Sequence, residues 1–173
     1  MTKVLAAELH AGNPVNSAQL DELGETLDRA LDEARHIFNQ LQPVAPGEGG
    51  LMSALARLAS ETSVRMACDF ECENAILIDN PEAATALYRI AAEAVRNAVD
   101  HAGAKRIKIA LADSNGTIVL KISNDGHTFI PQPLREVMQF RAQTAGGTFT
   151  SESASGHGTT VTFTLPKGEV RTR

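Results

Sequence analysis

Residues 88–111, YRIAAEAVRNAVDHAGAKRIKIAL, change their hydrophobic period in mid-run. Leu87, Ile90, Ala91, Ala94, Val95 and Ala98 recur at helical spacing and make one apolar stripe. From Arg106 to Leu111 apolar and polar residues alternate, which is the two-residue period of a half-buried strand. A one-sided helix that feeds a one-sided strand buries both faces by lying on a sheet. That pairing sets the expected fold class, α+β.

The flanking segments extend the pattern. VRMACDFEC alternates as a strand, and Asp79 or Asn80 is placed to cap a helix over 83–101 with Pro81 in its first turn. KRIKIALAD, the turn SNG and TIVLKISND predict a hairpin. LREVMQFRAQTA predicts a helix stopped by Gly146-Gly147, and GTFTSES, ASGHG and TTVTFTLP predict a last hairpin. The order β-α-β-β-α-β-β implies a two-layer α/β sandwich, a mixed sheet with helices on one face. LMSALARLASETS adds a short helix before the first strand, after the Pro- and Gly-rich loop VAPGEGG.

Upstream, residues 17–43 read as one long amphipathic helix, with Ser17 as N-cap and Pro43 as stop. Leu20, Leu23, Leu27, Ala30, Leu31, Ala34, Ile37, Phe38 and Leu41 form its stripe, which needs a second helix or a dimer partner to cover it. Two regions are therefore expected, a helical segment over 1–43 and a sheet domain over 44–173.

Composition removes several function classes. With 43% apolar residues the 173-residue chain can bury a core. A net charge of −5, no tryptophan and one tyrosine argue against nucleic-acid binding. No apolar run approaches the roughly 20 residues that span a bilayer, and MTKVLAAELHAG lacks the apolar core of a signal peptide, so a cytoplasmic location is expected. Cys68 and Cys72 bracket Phe70 on one face of a strand and read as reduced core thiols.

Three polar constellations remain. Glu93, Asn97 and His101, spaced i, i+4 and i+8 with Asp100 beside them, share one helix face opposite the apolar stripe. Such a row offers oxygen ligands to Mg²⁺, which keeps waters and bridges to substrate phosphates; it also suits a solvated surface. In ISNDGHTF a buried Asp125 at a strand end could accept from an exocyclic amine, with Gly126 letting a flat ring near the backbone, and an ordinary Asx turn fits the same residues. SGHGTT places Gly156, Gly158 and Thr159 at a turn into the final strand.

In order and distance the three constellations resemble the ATP-binding domain of sensor histidine kinases, in the superfamily shared with DNA gyrase, the ninety-kilodalton heat-shock chaperone and the mismatch-repair ATPases. LYRIAAEAVRNAVDHAGA is the most specific match, to LYRIAQEA-x-x-NA-x-K/R-HA, and the likeness covers roughly residues 25–166. The resemblance implies a histidine-kinase-like ATPase fold over 44–173, preceded by a dimerisation- or phosphotransfer-like helix. It implies Asn97 as ligand of the Mg²⁺ that bridges the ATP phosphates. Glu93 would orient or deprotonate a phosphoacceptor histidine or a water, and Asp100 and His101 would lie beside the nucleotide. Asp125 would accept from the adenine amino group, Gly126 would pack near the ring, and Thr159 would reach the adenine.

Three departures accompany it. Thr128 stands where the family's D-G-x-G-F motif has its second glycine. The lid that normally carries a G-x-G-L motif reads IPQPLREVMQF, with Pro131 and Pro133 and no glycine, so backbone N–H donors for phosphates are few. LAAELHAG resembles an ARELHD phosphoacceptor box, which would make His10 the phosphorylated residue, but Ala11 replaces the acidic neighbour. The implied function is a two-component histidine kinase that binds ATP–Mg²⁺, transfers the γ-phosphoryl group to a histidine, forms a homodimer and serves a response regulator. The alternative is a degenerate, non-catalytic adaptor or histidine phosphotransfer protein that binds a response regulator; an anti-sigma-type serine kinase is a third reading.

Overall fold

The structure, a computed structural model, describes residue 10 and residues 16–41, 50–127, 130–154 and 158–167. It divides into two units, Met1–Gln42 and Pro43–Arg173. The expectations for Pro43, the 44–49 loop, residues 11–15, Thr128, Phe129 and Ser155–His157 fall outside the described residues.

In the first unit, α1 spans Ser17–Leu41. Its cap lies one residue earlier than expected. Asn16 Oδ1 accepts from the Gln19 N–H at 2.8 Å, and Gln19 Oε1 accepts from the Asn16 N–H at 3.0 Å. This reciprocal pair satisfies two donors at once and makes Ser17 the first helical residue. Of its stripe, Leu20, Leu27 and Leu31 are exposed.

The second unit runs α2 (Gly50–Thr62), β1 (Ala67–Cys72), α3 (Pro81–Asp100), β2 (Arg106–Ser114), β3 (Thr117–Asn124), α4 (Gln132–Thr144), β4 (Thr148–Ala154) and β5 (Gly158–Pro166). Five strands form one sheet in the order β1-β2-β3-β5-β4. β1 pairs parallel with β2 and the remaining pairs are antiparallel, so the sheet is mixed as expected.

Helix α3 organises this unit. Asn80 caps it, its Oδ1 accepting from the Glu82 and Ala83 N–H groups, and Pro81 fills the first turn, where no amide donor is needed. Leu87, Ile90, Ala91, Ala94, Val95 and Ala98 are buried, the face the periodicity indicated. They join a core with Ile107, Ile109 and Leu111 of β2, Ile118, Leu120 and Ile122 of β3, and Val161 and Phe163 of β5. Burying each large side chain contributes about 1.5–3 kcal/mol, and the alanines let the helix axis approach the sheet. Leu51, Leu55 and Ala59 of α2 complete the same core.

Cys68 and Cys72 are free thiols on the same side of β1 as Phe70. Burial, with the Asp69 charge adding to it, pushes the Cys68 thiol up to about 11, so it stays protonated and unreactive at neutral pH. Among the described residues no helix is long and apolar enough to cross a membrane.

Candidate functional site

The period of two along β3 decides which side chain the end of that strand turns toward the helices. Ile118, Leu120 and Ile122 are buried, and Asn124 is the next residue in that phase. On the neighbouring strand Thr159 is paired directly with Asn124, and Val161 with Ile122. Above them Ala94 and Asn97 of α3 close one wall, and Ile130 and Met138 close another. The cleft encloses about 240 Å³ of empty space, part of it open to solvent. Its closed interior has room for about one water molecule, so a ring-sized ligand enters only if lining side chains move.

Three polar side chains therefore meet in one apolar cleft: Asn97, Asn124 and Thr159. Asn97 is 5% exposed and Thr159 4%. The Thr159 hydroxyl is hydrogen-bonded to Ser153 Oγ at 3.2 Å, and either oxygen can be the donor. Asn124 Oδ1 accepts from the Gly126 N–H at 3.0 Å, which fixes how its carboxamide is turned.

Glu93 lies one turn before Asn97 and is 7% exposed. Its Oε1 accepts from the Arg96 guanidinium at 2.9 Å. Arg141 of α4 stands near enough for its charge to feel Glu93. Burial lowers the Arg141 pKa, and Glu93 opposes that shift while Arg89 adds to it. Of the two readings of the polar face of α3, a pocket wall or a solvated surface, the burial of Glu93 and Asn97 fits the first, and α4 packs against α3. Asp100 and His101, at the helix end, remain exposed. Asp100 faces the Arg65 guanidinium at 3.6 Å, and neither residue lines the cleft.

Asp125 differs most from expectation. The sequence suggests a buried acceptor, and the structure shows an exposed carboxylate out of phase with the cleft-facing residues of β3. Its Oδ1 accepts from the Arg106 and Lys105 N–H groups at 2.9 and 2.8 Å. Those bonds, Arg106 first, hold its pKa below the usual carboxylate range. Gly126 likewise serves the fold: a Cβ there would stand 2.4 Å from the Ala102 carbonyl oxygen. The space that its missing Cβ would occupy is taken by backbone. Gly158, with φ +78, lets β5 start against β3, since a Cβ would lie 1.8 Å from the Asn124 carbonyl oxygen.

Next to the cleft, α4 starts without a side-chain cap: Pro131 is its N-cap residue, and a further proline, Pro133, stands in the first turn. Two of the amide donors that a helix start normally offers are thus absent. His10, the candidate phosphoacceptor, is exposed and belongs to the first unit.

The family described as "Histidine kinase-, DNA gyrase B-, and HSP90-like ATPase" matches residues 82–169, from the start of α3 through β5. The chain belongs to this family. Its second unit is a histidine-kinase ATP-binding domain, as the motif around Asn97 implied. The chain is 29% identical over 164 residues to the sensor histidine kinase MctS of Rhizobium johnstonii, covering 88% of this chain and 35% of that protein. It is 33% identical over 135 residues to the methanol utilization control sensor protein MoxY of Paracoccus denitrificans, covering 70% of this chain and 30% of that one. The chain thus spans about a third of these relatives' length. Among solved structures, the histidine kinase AdeS of Acinetobacter baumannii aligns with a TM-score of 0.61 at 12% identity, over 97% of this chain and 95% of that one, a likeness of fold.

Of the residues singled out in the sequence, Asn97 and Thr159 line the cleft, and Asn124, Ile130 and Met138, which line it too, were not singled out. The signal for Asn124 was present: extending the alternation of TIVLKIS by one step selects it over Asp125. Ile130 and Met138 reach the cleft through a long-range packing that local periodicity does not encode.

The Asp125 geometry yields a pH prediction. A carboxylate whose pKa is lowered by folding stabilises fully above its unfolded value of about 3.9 and loses that contribution as the pH falls through the lower folded value. Asp125→Ala should therefore lower the thermal midpoint at pH 7 by a few degrees and reduce the loss of stability on acidification below pH 4. Asp125→Asn, which keeps an acceptor for the two N–H groups, should lose less at pH 7. Calorimetric melting of the three proteins at pH 7 and pH 3 checks this.

Proposed function

We propose that the domain binds ATP with Mg²⁺ in the cleft between α3, the ends of β3 and β5, and α4, and supplies the γ-phosphoryl group to a histidine. The observation that carries this is the meeting of Asn97, Asn124 and Thr159 in an otherwise apolar cleft within a histidine-kinase ATP-binding domain. Apolar walls with a few convergent polar groups suit a purine-sized ring with a hydrogen-bonding edge.

The donor set fits one magnesium ion only in the manner typical of phosphate-bound Mg²⁺. No group of three or more His, Cys, Asp or Glu side chains among the described residues could hold a metal. Asn97 would supply one carboxamide oxygen, and the nucleotide phosphates and waters would supply the rest. The ion's chemistry there is neutralisation of phosphate charge, on which phosphoryl transfer largely depends. Glu93, with its carboxylate on Arg96, fits an orienting role beside the phosphates. His10 is the candidate phosphoacceptor in this chain.

The exposed Leu20, Leu27 and Leu31 of α1 support a homodimer built on that helix, with a response regulator as the protein that receives the phosphoryl group. The whole reaction would resemble that of the sensor kinases, about a third of whose length this chain spans.

A second reading has its own observation. The closed interior of the cleft is small, Ile130 and Met138 occupy one wall, and Pro131 and Pro133 remove donors at the adjoining helix start. These features favour a degenerate, dimeric adaptor that has lost turnover and binds a response regulator.

One experiment separates the readings, and a second tests the dimer common to both. Isothermal titration with a non-hydrolysable ATP analogue should give binding that tightens at least tenfold with Mg²⁺, and Asn97→Ala should remove that gain while leaving the far-ultraviolet circular dichroism unchanged. Absence of binding at millimolar analogue to the folded chain would favour the adaptor. For the dimer, sedimentation velocity should show a dimer that Leu27→Glu and Leu31→Glu together convert to monomer; a monomeric unaltered chain would overturn that part.

A further inference from the structure

Resting on the nucleotide reading above, we infer that Asn124 relaxes the base selectivity of the cleft, so that a 6-oxopurine nucleotide is accepted at least as well as a 6-aminopurine nucleotide. Asn124 is the polar residue that β3 delivers to the cleft, and Thr159 stands opposite it on β5. The carboxylate next to it in sequence, Asp125, is exposed and committed to the Lys105 and Arg106 amides. A purine in this cleft therefore meets a carboxamide at the strand end.

The turn of that carboxamide follows from its neighbour. Gly126 presents a backbone N–H to Asn124 at 3.0 Å, and only the amide oxygen can accept it. Oδ1 is thus held by Gly126, and Nδ2 is the group left to face a ligand edge. An amide N–H₂ is a donor. The 6-amino group of adenine is also a donor, whereas the 6-oxo group of guanine or hypoxanthine is an acceptor. Donor facing donor gives adenine no hydrogen bond there, while a 6-oxopurine gains one. The Thr159 hydroxyl can donate or accept and does not restore a preference for adenine. A carboxylate at position 124 would reverse this: with one oxygen on the Gly126 N–H, its other oxygen could only accept, and would favour the 6-amino group.

The test is competition binding by the full chain, with Mg²⁺ present, of ATP, ITP and GTP against a fluorescent purine nucleotide. It is run on the unaltered protein and on the isosteric Asn124→Asp. ITP is included because it carries the 6-oxo group without the 2-amino group of guanine. The inference expects ITP to bind the unaltered chain as tightly as ATP or tighter, and Asn124→Asp to shift the ATP-to-ITP ratio toward ATP by about tenfold, the value of roughly one hydrogen bond. A preference for ATP of tenfold or more in the unaltered chain, or a ratio unmoved by Asn124→Asp, would overturn the inference and leave the nucleotide site standing. Failure of all three nucleotides to bind would overturn the nucleotide reading itself, and this inference with it. Comparable thermal midpoints for the two proteins show that the substitution acts on the cleft and not on folding.

Discussion

The site depends on one backbone clasp. The loop after β3 is fastened to the loop between α3 and β2 by four hydrogen bonds. Asp125 Oδ1 takes the Lys105 and Arg106 N–H groups, the Asp125 N–H reaches the Arg106 carbonyl at 3.3 Å, and the His127 N–H reaches the Ala102 carbonyl at 2.7 Å. Gly126 makes the contact sterically allowed, since any Cβ there would collide with the Ala102 backbone. The carbonyl of Asn97 receives the His101 and Ala102 N–H groups at the start of the same loop. The clasp therefore ties the helix end that carries Asn97 to the strand end that carries Asn124. Asn124 in turn lies beside β5, because Gly158 permits backbone contact, and this brings Thr159 opposite.

This geometry gives new meaning to residues that look functional in the sequence. Asp125 and Gly126 are chemically conspicuous, a carboxylate and a glycine at a strand end, and both act on the fold around the cleft. Asn124 is inconspicuous and faces the cleft. The division follows from strand alternation, which turns adjacent residues to opposite faces. Asp100 and His101 diverge from Asn97 for a related reason. The helix ends beside them, with His101 at its C-cap, and both side chains are exposed while Asn97 and Ala98 in the same turn are buried.

Much of the architecture was legible in the sequence. The stripe of α3, the hairpin of β2 and β3 and the stop of α4 at Gly146-Gly147 each follow from local periodicity or turn chemistry, and the mixed sheet follows from their order. What local pattern did not carry was the burial of Glu93 and Asn97. On a helical wheel they share the polar face, and α4 covers them from some forty residues downstream in the chain. The same long-range packing brings Met138 and Ile130 to the cleft. The N-cap of α1 shifted to Asn16 because Gln19 completes a reciprocal pair with it, a competition that the single residue Ser17 does not reveal.

The central claim is that the cleft between α3, the strand ends and α4 receives a nucleotide. The most direct measurement is the map of backbone amide shifts in the full chain, by heteronuclear NMR, on adding ATP and Mg²⁺. The account predicts saturable shifts concentrated at Ala94, Asn97, Ile122, Asn124, Met138, Thr159 and Val161, with residues on the exposed face of the sheet such as Lys108 and Lys121 unmoved. Saturable shifts centred elsewhere, or a spectrum of the folded chain unchanged at millimolar nucleotide, would contradict it.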